Sequence, residues 1–181
     1  ELLESTMPDD PWVATTLIRY FPALLQDKFA AYMPQHPLRR EIIATHVTNS
    51  MLNRVGSTFV HRVSESTGAR PFEIVRAYLL SREVFDFVSL WREVEVLDNQ
   101  VDDEVQSRML IDASWQLERG TTWFLRSRRL GDDMAQTIGY FKPGVDLLTA
   151  RLPDLLEADE RTRTGNVVAE LNAKGVPPEL A

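Results

Sequence analysis

The chain has 181 residues, no cysteine and a net charge of −7, from 20 basic and 27 acidic side chains. Without cysteine it has no disulfide framework, thiolate zinc site, iron–sulfur cluster or cysteine nucleophile. With 44% hydrophobic and 26% charged residues it is not disordered, and its 8 glycines are too few for many tight turns or glycine-rich phosphate loops. The length suits one domain with a sizeable core. Residues 1–37 carry five acids and two bases, residues 38–129 carry 13 of each, and residues 130–181 carry nine acids and five bases. The acidity therefore belongs to the flanks, and a phosphate backbone would find no basic surface. No apolar run approaches the roughly 20 residues of a membrane helix. Together these readings place the chain in the cytoplasm, away from nucleic acid and membrane.

The dominant pattern is helical periodicity. Pro11 opens a short helix to about Tyr20, with Asp9 and Asp10 at its positive end. Pro22 interrupts it. A second helix over 22–33 sets Leu25, Phe29 and Tyr32 on one side, before a proline-punctuated turn at Met33–Pro37. From Leu38 to Ser66 the spacing predicts one unbroken helix, because Ile43, Val47, Met51, Val55, Phe59 and Val63 recur every four residues. Gly68 closes it and Pro71 opens the next. That helix, to about Leu97, is apolar on several sides and reads as the central one, bent near Asp86–Val88.

Asp98–Gln100 is a loop. Asp102, Asp103 and Glu104 then start a helix that ends in Arg126, Arg128 and Arg129, an arrangement that complements the helix dipole. Gly131-Asp132 restarts the chain. Helices follow over 132–140 and 144–152, separated at Pro143-Gly144, and the polar run Glu157–Arg163 precedes a short helix over 166–174. The expected fold is all-α: an elongated bundle of long antiparallel helices. It forms one domain over 1–181, with a core at 38–129 and flanks at 1–37 and 130–181. Its longest helices, of about 28 residues, would span about 40 Å.

Candidate chemistry is sparse. His46 and His61 stand about 22 Å apart along a helix, too far to share a metal, and with His36 they read as surface or capped histidines. Gly139 and Gly144 have phosphate-loop spacing, but Val145-Asp146 follows where Lys-Ser/Thr is required. No catalytic, metal or cofactor residue is therefore assigned. Trp115, Trp123 and Phe124 lie among Arg119, Arg126, Arg128 and Arg129, a pattern of helix-interface aromatics and, less readily, of base stacking. Arg39 and Arg40 occupy a first helical turn, where positive charge opposes the dipole. They are expected to pair with acids from elsewhere, in this chain or a neighbouring segment. Arg39, Arg40, Trp123 and Arg126 are the candidate inter-domain contacts.

One collinear stretch carries a resemblance: LRREIIATHVTNSMLNRVGSTFVHRVSESTGARPFEIVRAYLLSREVFD from Leu38, LWREVEVLDNQV from Leu90 and LERGTTWFLRSRR from Leu117. It resembles the C-terminal helical region of the large bacterial NAD-specific glutamate dehydrogenases, over nearly 90 residues, and the flanks fit more loosely. The resemblance implies a parent enzyme that oxidatively deaminates L-glutamate to 2-oxoglutarate with NAD as hydride acceptor. It places the catalytic and dinucleotide-binding domains upstream of this region. The family's glycine-rich, lysine-bearing glutamate site has no counterpart here, where the lysines are Lys28, Lys142 and Lys174. The chain is then expected to be an inactive C-terminal piece that packs on the upstream catalytic domain, contributes to a homo-oligomer or carries regulation. Glu1 in place of methionine, and a helix-start pattern at Pro177-Pro178-Glu179, suit a piece of a longer chain. A stand-alone helical interaction module and a helical nucleic-acid-binding regulator are the alternatives.

Overall fold

The computed structural model describes residues 1–127 and 133–181. Arg128, Arg129 and the expected break at Gly131-Asp132 lie outside them. Among the described residues the regular structure is helical, with no strand. The helices are α1 (Pro11–Ala14), α2 (Thr16–Tyr20), α3 (Ala23–Phe29), α4 (Arg39–Val55), α5 (Phe59–Thr67), α6 (Pro71–Val84), α7 (Phe87–Val96), α8 (Asp103–Arg126), α9 (Met134–Leu155) and α10 (Ala158–Ala173).

The central helix is α6. Ile74, Val75, Ala77, Tyr78, Leu79, Leu80 and Val84 are all buried, with Ser81 and Arg82. A helix apolar all round must be covered on every side. Here α8 lies against it most extensively, with α9, α5, α7 and α4 around the rest. Pro71 fits the first turn, where the Glu73 carboxylate accepts the Arg70 backbone N–H at 2.8 Å.

Two of the expected long helices are each a pair. Gly56 stops α4 with φ 82° and ψ 166°, a conformation that side chains rarely adopt. The break suits the stripe it interrupts. Each step of four residues drifts about 40° around a helix, so six such positions would spiral roughly 200° away from one face. With a break after Val55, all of Ile43, Val47, Met51, Val55, Phe59 and Val63 are buried. The bend expected near Asp86 is a full break: Asp86 is left-handed at φ 54° and accepts the Ser89 hydroxyl at 2.9 Å. It turns Phe87, Trp91 and Val94 inward and leaves Phe85 40% exposed.

The converse error falls in the C-terminal flank. Pro143 does not divide a helix; α9 runs through both Pro143 and Pro153. A proline ring crowds the carbonyl four residues earlier. For Pro143 that residue is Gly139, whose exposure lets water take up the orphaned carbonyl. The polar run 157–163 is the first half of α10, begun by a capping box between Glu157 and Glu160. Near the N-terminus, α3 has no buried residue, so Leu25, Phe29 and Tyr32 form a surface face, not a core one. A satellite core joins Leu97 and Val105 to Val176, with Val101, Met109 and Leu171 packed on it.

The N-terminal segment is held down electrostatically. Arg39 Nη2 donates to Asp9 Oδ1 at 2.8 Å and Arg40 Nη1 to Asp9 Oδ2. Arg40 Nη2 also donates to the carbonyls of Leu3 at 2.7 Å and Ser5 at 3.1 Å. Asp9 thus offsets the two positive charges at the start of α4.

Helices α6 and α8 approach closely at Gly120, where an added Cβ would lie 2.2 Å from Ser81 Oγ and 3.1 Å from the Phe85 ring. Gly120→Ala is expected to destabilise by a net of about 1 kcal/mol, overpacking outweighing the gain in helix propensity. Ser81→Ala in the same chain should recover most of the loss. Urea denaturation of the four members of this cycle checks it, and no recovery would refute the Ser81 contact. Asp9→Ala should cost only about 0.5–1 kcal/mol, because the pairs are over a third exposed. Its sharper effect is local: hydrogen exchange in residues 1–10 should quicken far more than exchange in α6.

Candidate interaction surface

The four candidate contact residues fall in two places. Arg39 and Arg40 sit at the start of α4 and are engaged with Asp9 and the Leu3 and Ser5 carbonyls. Trp123 and Arg126 sit in the last turn of α8. Trp123 is half exposed and packs edge-on against Phe124 at 5.0 Å and Phe141 at 5.5 Å. Arg126 is exposed where its charge complements the helix C-terminus. Among the described residues, no hydrogen bond or ion pair joins the two places.

The remaining polar candidates are local. His36 Nδ1 accepts the Leu38 N–H at 3.1 Å, and His61 Nε2 lies 3.5 Å from Glu65. Among the described residues, no group of three or more His, Asp or Glu side chains could hold a metal ion. Gly139 and Gly144 lie inside α9, where their amides serve the helix and form no phosphate cradle.

A larger feature lies on α9. Met134, Ile138, Phe141, Val145, Leu148, Leu152 and Leu155 alternate steps of four and three, the spacing of a heptad seam. The first part of the seam is used. Met134 is buried, and Ile138, Phe141 and Val145 pack against the main core. The second part is bare: Leu148 is 54%, Leu152 46% and Leu155 61% exposed, with Leu147 beside them. The signal was present in the sequence, but a helix break placed at Pro143 cuts the seam in two and hides its register.

The outer face of α8 is similar. Ile111, Trp115 and Trp123 are all more than half exposed. By the 100° step Ile111 and Trp115 lie roughly opposite Ala113, Leu117 and Phe124, which face the core, while Trp123 lies on the flank between the two faces. Scattered exposed apolar residues are ordinary, whereas a repeated stripe marks a surface that meets something else.

Known proteins give this surface a context. The family described as glutamate dehydrogenase, C-terminal, matches residues 1–181. An NAD-specific glutamate dehydrogenase of Halomonas elongata is 38% identical over 181 residues, which is 100% of this chain and 11% of the relative. One of Pseudomonas aeruginosa is 39% identical over 160 residues, 88% of this chain and 10% of that protein. A third, of Mycobacterium tuberculosis, is 29% identical over 181 residues and again 11% of its length. The chain therefore spans about a tenth of the curated relatives it matches. With the family matched from the first residue to the last, this helical chain belongs to the C-terminal family of the glutamate dehydrogenases.

Proposed function

We propose that the chain is a non-catalytic docking and assembly element of an NAD-dependent glutamate dehydrogenase. In the parent reaction L-glutamate, NAD and water give 2-oxoglutarate, ammonia and NADH. The names of the three relatives support the NAD and the glutamate.

The residues present do not fit a dinucleotide. Its pyrophosphate is bound at a glycine-rich turn between a strand and a helix. Among the described residues there is no strand, and Gly139 and Gly144 lie within α9. Lys142 is paired with Asp146 at 3.0 Å, Lys174 with Glu170 at 2.8 Å, and Lys28 lies over the Phe29 ring. None of the three is buried in a cleft of the kind a catalytic lysine occupies. No step of hydride or proton transfer is assigned to this chain.

The half-covered seam of α9 carries the docking reading. A heptad face selects another helix, whose side chains insert between its own. Covering one leucine fully is worth roughly 1.5–3 kcal/mol, so three of them bring a substantial driving force even after partial exposure is allowed for. The partner we assign is the upstream catalytic part of the same polypeptide, with homo-oligomer contacts of the whole enzyme as the further consequence. Net charge −7 supports a partner other than nucleic acid. No helix among the described residues is long and apolar enough to cross a membrane; the compartment we propose for the enzyme is the cytoplasm.

The test is Leu148→Ser/Leu152→Ser/Leu155→Ser in the full-length enzyme. Exposed leucines contribute little to the fold of this region, so its helicity should persist. Glutamate-dependent NAD reduction should fall about tenfold or more, or sedimentation velocity should show smaller species, as expected when a buried apolar contact is lost. A fully active, normally assembled triple variant, with the same outcome on deleting residues 1–181, would defeat the proposal.

A further inference from the structure

Four helices turn basic side chains toward one cavity of about 260 Å³. Arg19 comes from α2; His46, Ser50 and Arg54 from α4; Arg82 from α6; Trp91, Arg92 and Glu95 from α7. On α4 the lining residues are four apart, so one face of that helix supplies all three.

The charges do not cancel. Arg54 Nη2 pairs with Glu95 Oε1 at 2.6 Å, and its guanidinium lies 4.5 Å from the Trp91 ring centroid. Arg82 Nε and Nη2 donate to Glu83 Oε1 at 3.0 and 2.7 Å. Arg19 and Arg92 make no ion pair among the described residues. Four guanidiniums and one carboxylate, Glu95, thus line the cavity, and with Glu83 paired to Arg82 from outside the lining an excess of two positive charges is left in a chain of net charge −7. Arg82 is only 6% exposed, so water screens its charge poorly. The histidine registers the same environment. Burial holds the His46 pKa below its ordinary value, and the charges of Arg82 and Arg19 lower it further. Like charges gathered in a partly dry cavity repel one another, and a bound anion relieves that repulsion.

We propose that this cavity binds a small dianionic oxyanion, phosphate- or carboxylate-bearing, between Arg19, Arg54, Arg82 and Arg92. Arginine forks match both oxyanions in a two-point geometry. The excess of two charges matches a dianion. The volume falls below the roughly 300–1,000 Å³ of sites for larger ligands, so a single phosphate or a short dicarboxylate fits and a dinucleotide does not. Trp91 is buried beneath Arg54 and offers no open face to a nucleobase.

Hydrogen exchange of the full-length polypeptide tests this, read in peptides over 43–55 and 82–95. Inorganic phosphate and malonate are titrated separately, with ionic strength held constant by chloride. At least one of them should slow exchange saturably where chloride does not. Arg19→Ala/Arg92→Ala, which removes two exposed side chains, should weaken that ligand about tenfold or more and leave unliganded exchange unchanged. Glu95→Gln removes the competing carboxylate and should tighten binding about threefold or more. Absence of saturable slowing, slowing untouched by the double variant, or weaker binding to Glu95→Gln would each overturn the proposal. Protection without added anion that is lost in Arg19→Ala/Arg92→Ala would also overturn it. An acidic side chain of the same polypeptide would then fill the cavity.

Discussion

Everything in this fold answers to the burial of α6. A helix whose Ile74, Ala77, Tyr78, Leu79, Leu80 and Ser81 are all inaccessible to water has no face to spare. Other helices must sheath it, and a straight neighbour can cover only one stripe. The breaks at Gly56 and Asp86 follow from that demand. Each lets one stretch of chain change direction, so that α4 and α5, or α6 and α7, present apolar residues from different angles. At Gly120 the sheath is tight, because a side chain there would displace Ser81.

The axis is also short. At 1.5 Å per residue, the 14 residues of α6 span about 21 Å, whereas the 24 of α8 and 22 of α9 span about 36 and 33 Å. Both partners outrun the helix they cover. For α8 the surplus is used: α7 packs on it, and Val105 and Met109 meet Leu97, Leu171 and Val176 in the satellite core. For α9 it is not. Its seam stays apolar for about eight residues beyond the length of α6, which is the stretch that holds Leu148, Leu152 and Leu155.

How much of this was legible in the sequence depended on whether the signal was periodic or conformational. The all-α class and the central place of the 71–97 segment followed from apolar spacing, as did the inward stripe Ile43 to Val63. The break at Gly56 did not, and near Asp86 only a bend was expected, because a pattern of apolar residues does not show where φ turns positive. Gly56 sits between strongly periodic segments and reads as a tolerated glycine. Pro143 misled in the opposite direction: proline normally ends a helix, and only the exposed Gly139 four residues earlier makes this one tolerable. Of the candidate contacts, the position of Arg39 and Arg40 against the helix dipole pointed to an acid elsewhere, and Asp9 supplies it. The basic cavity had no sequence signal. Arg19, His46, Arg82 and Arg92 are spread over 74 positions and meet only through the tertiary packing of α2, α4, α6 and α7.

Both unusual surfaces are costly for a domain that works alone. Leucines at heptad spacing in water invite non-specific association, and guanidiniums gathered around a partly buried cavity repel one another. Nothing about sheathing α6 requires either. The core closes without Leu148, Leu152 and Leu155, and Arg19 and Arg92 contribute no ion pair among the described residues. Features that weaken the isolated fold, while their surroundings hold them in regular helices, are the ground for the docking and the anion site that we propose. The chain spans about a tenth of its relatives, and we propose that the remainder of such a polypeptide supplies the apolar partner. The cationic cavity differs in kind. It is small, concave and built from arginine forks, and so it suits a compact anion better than a protein surface.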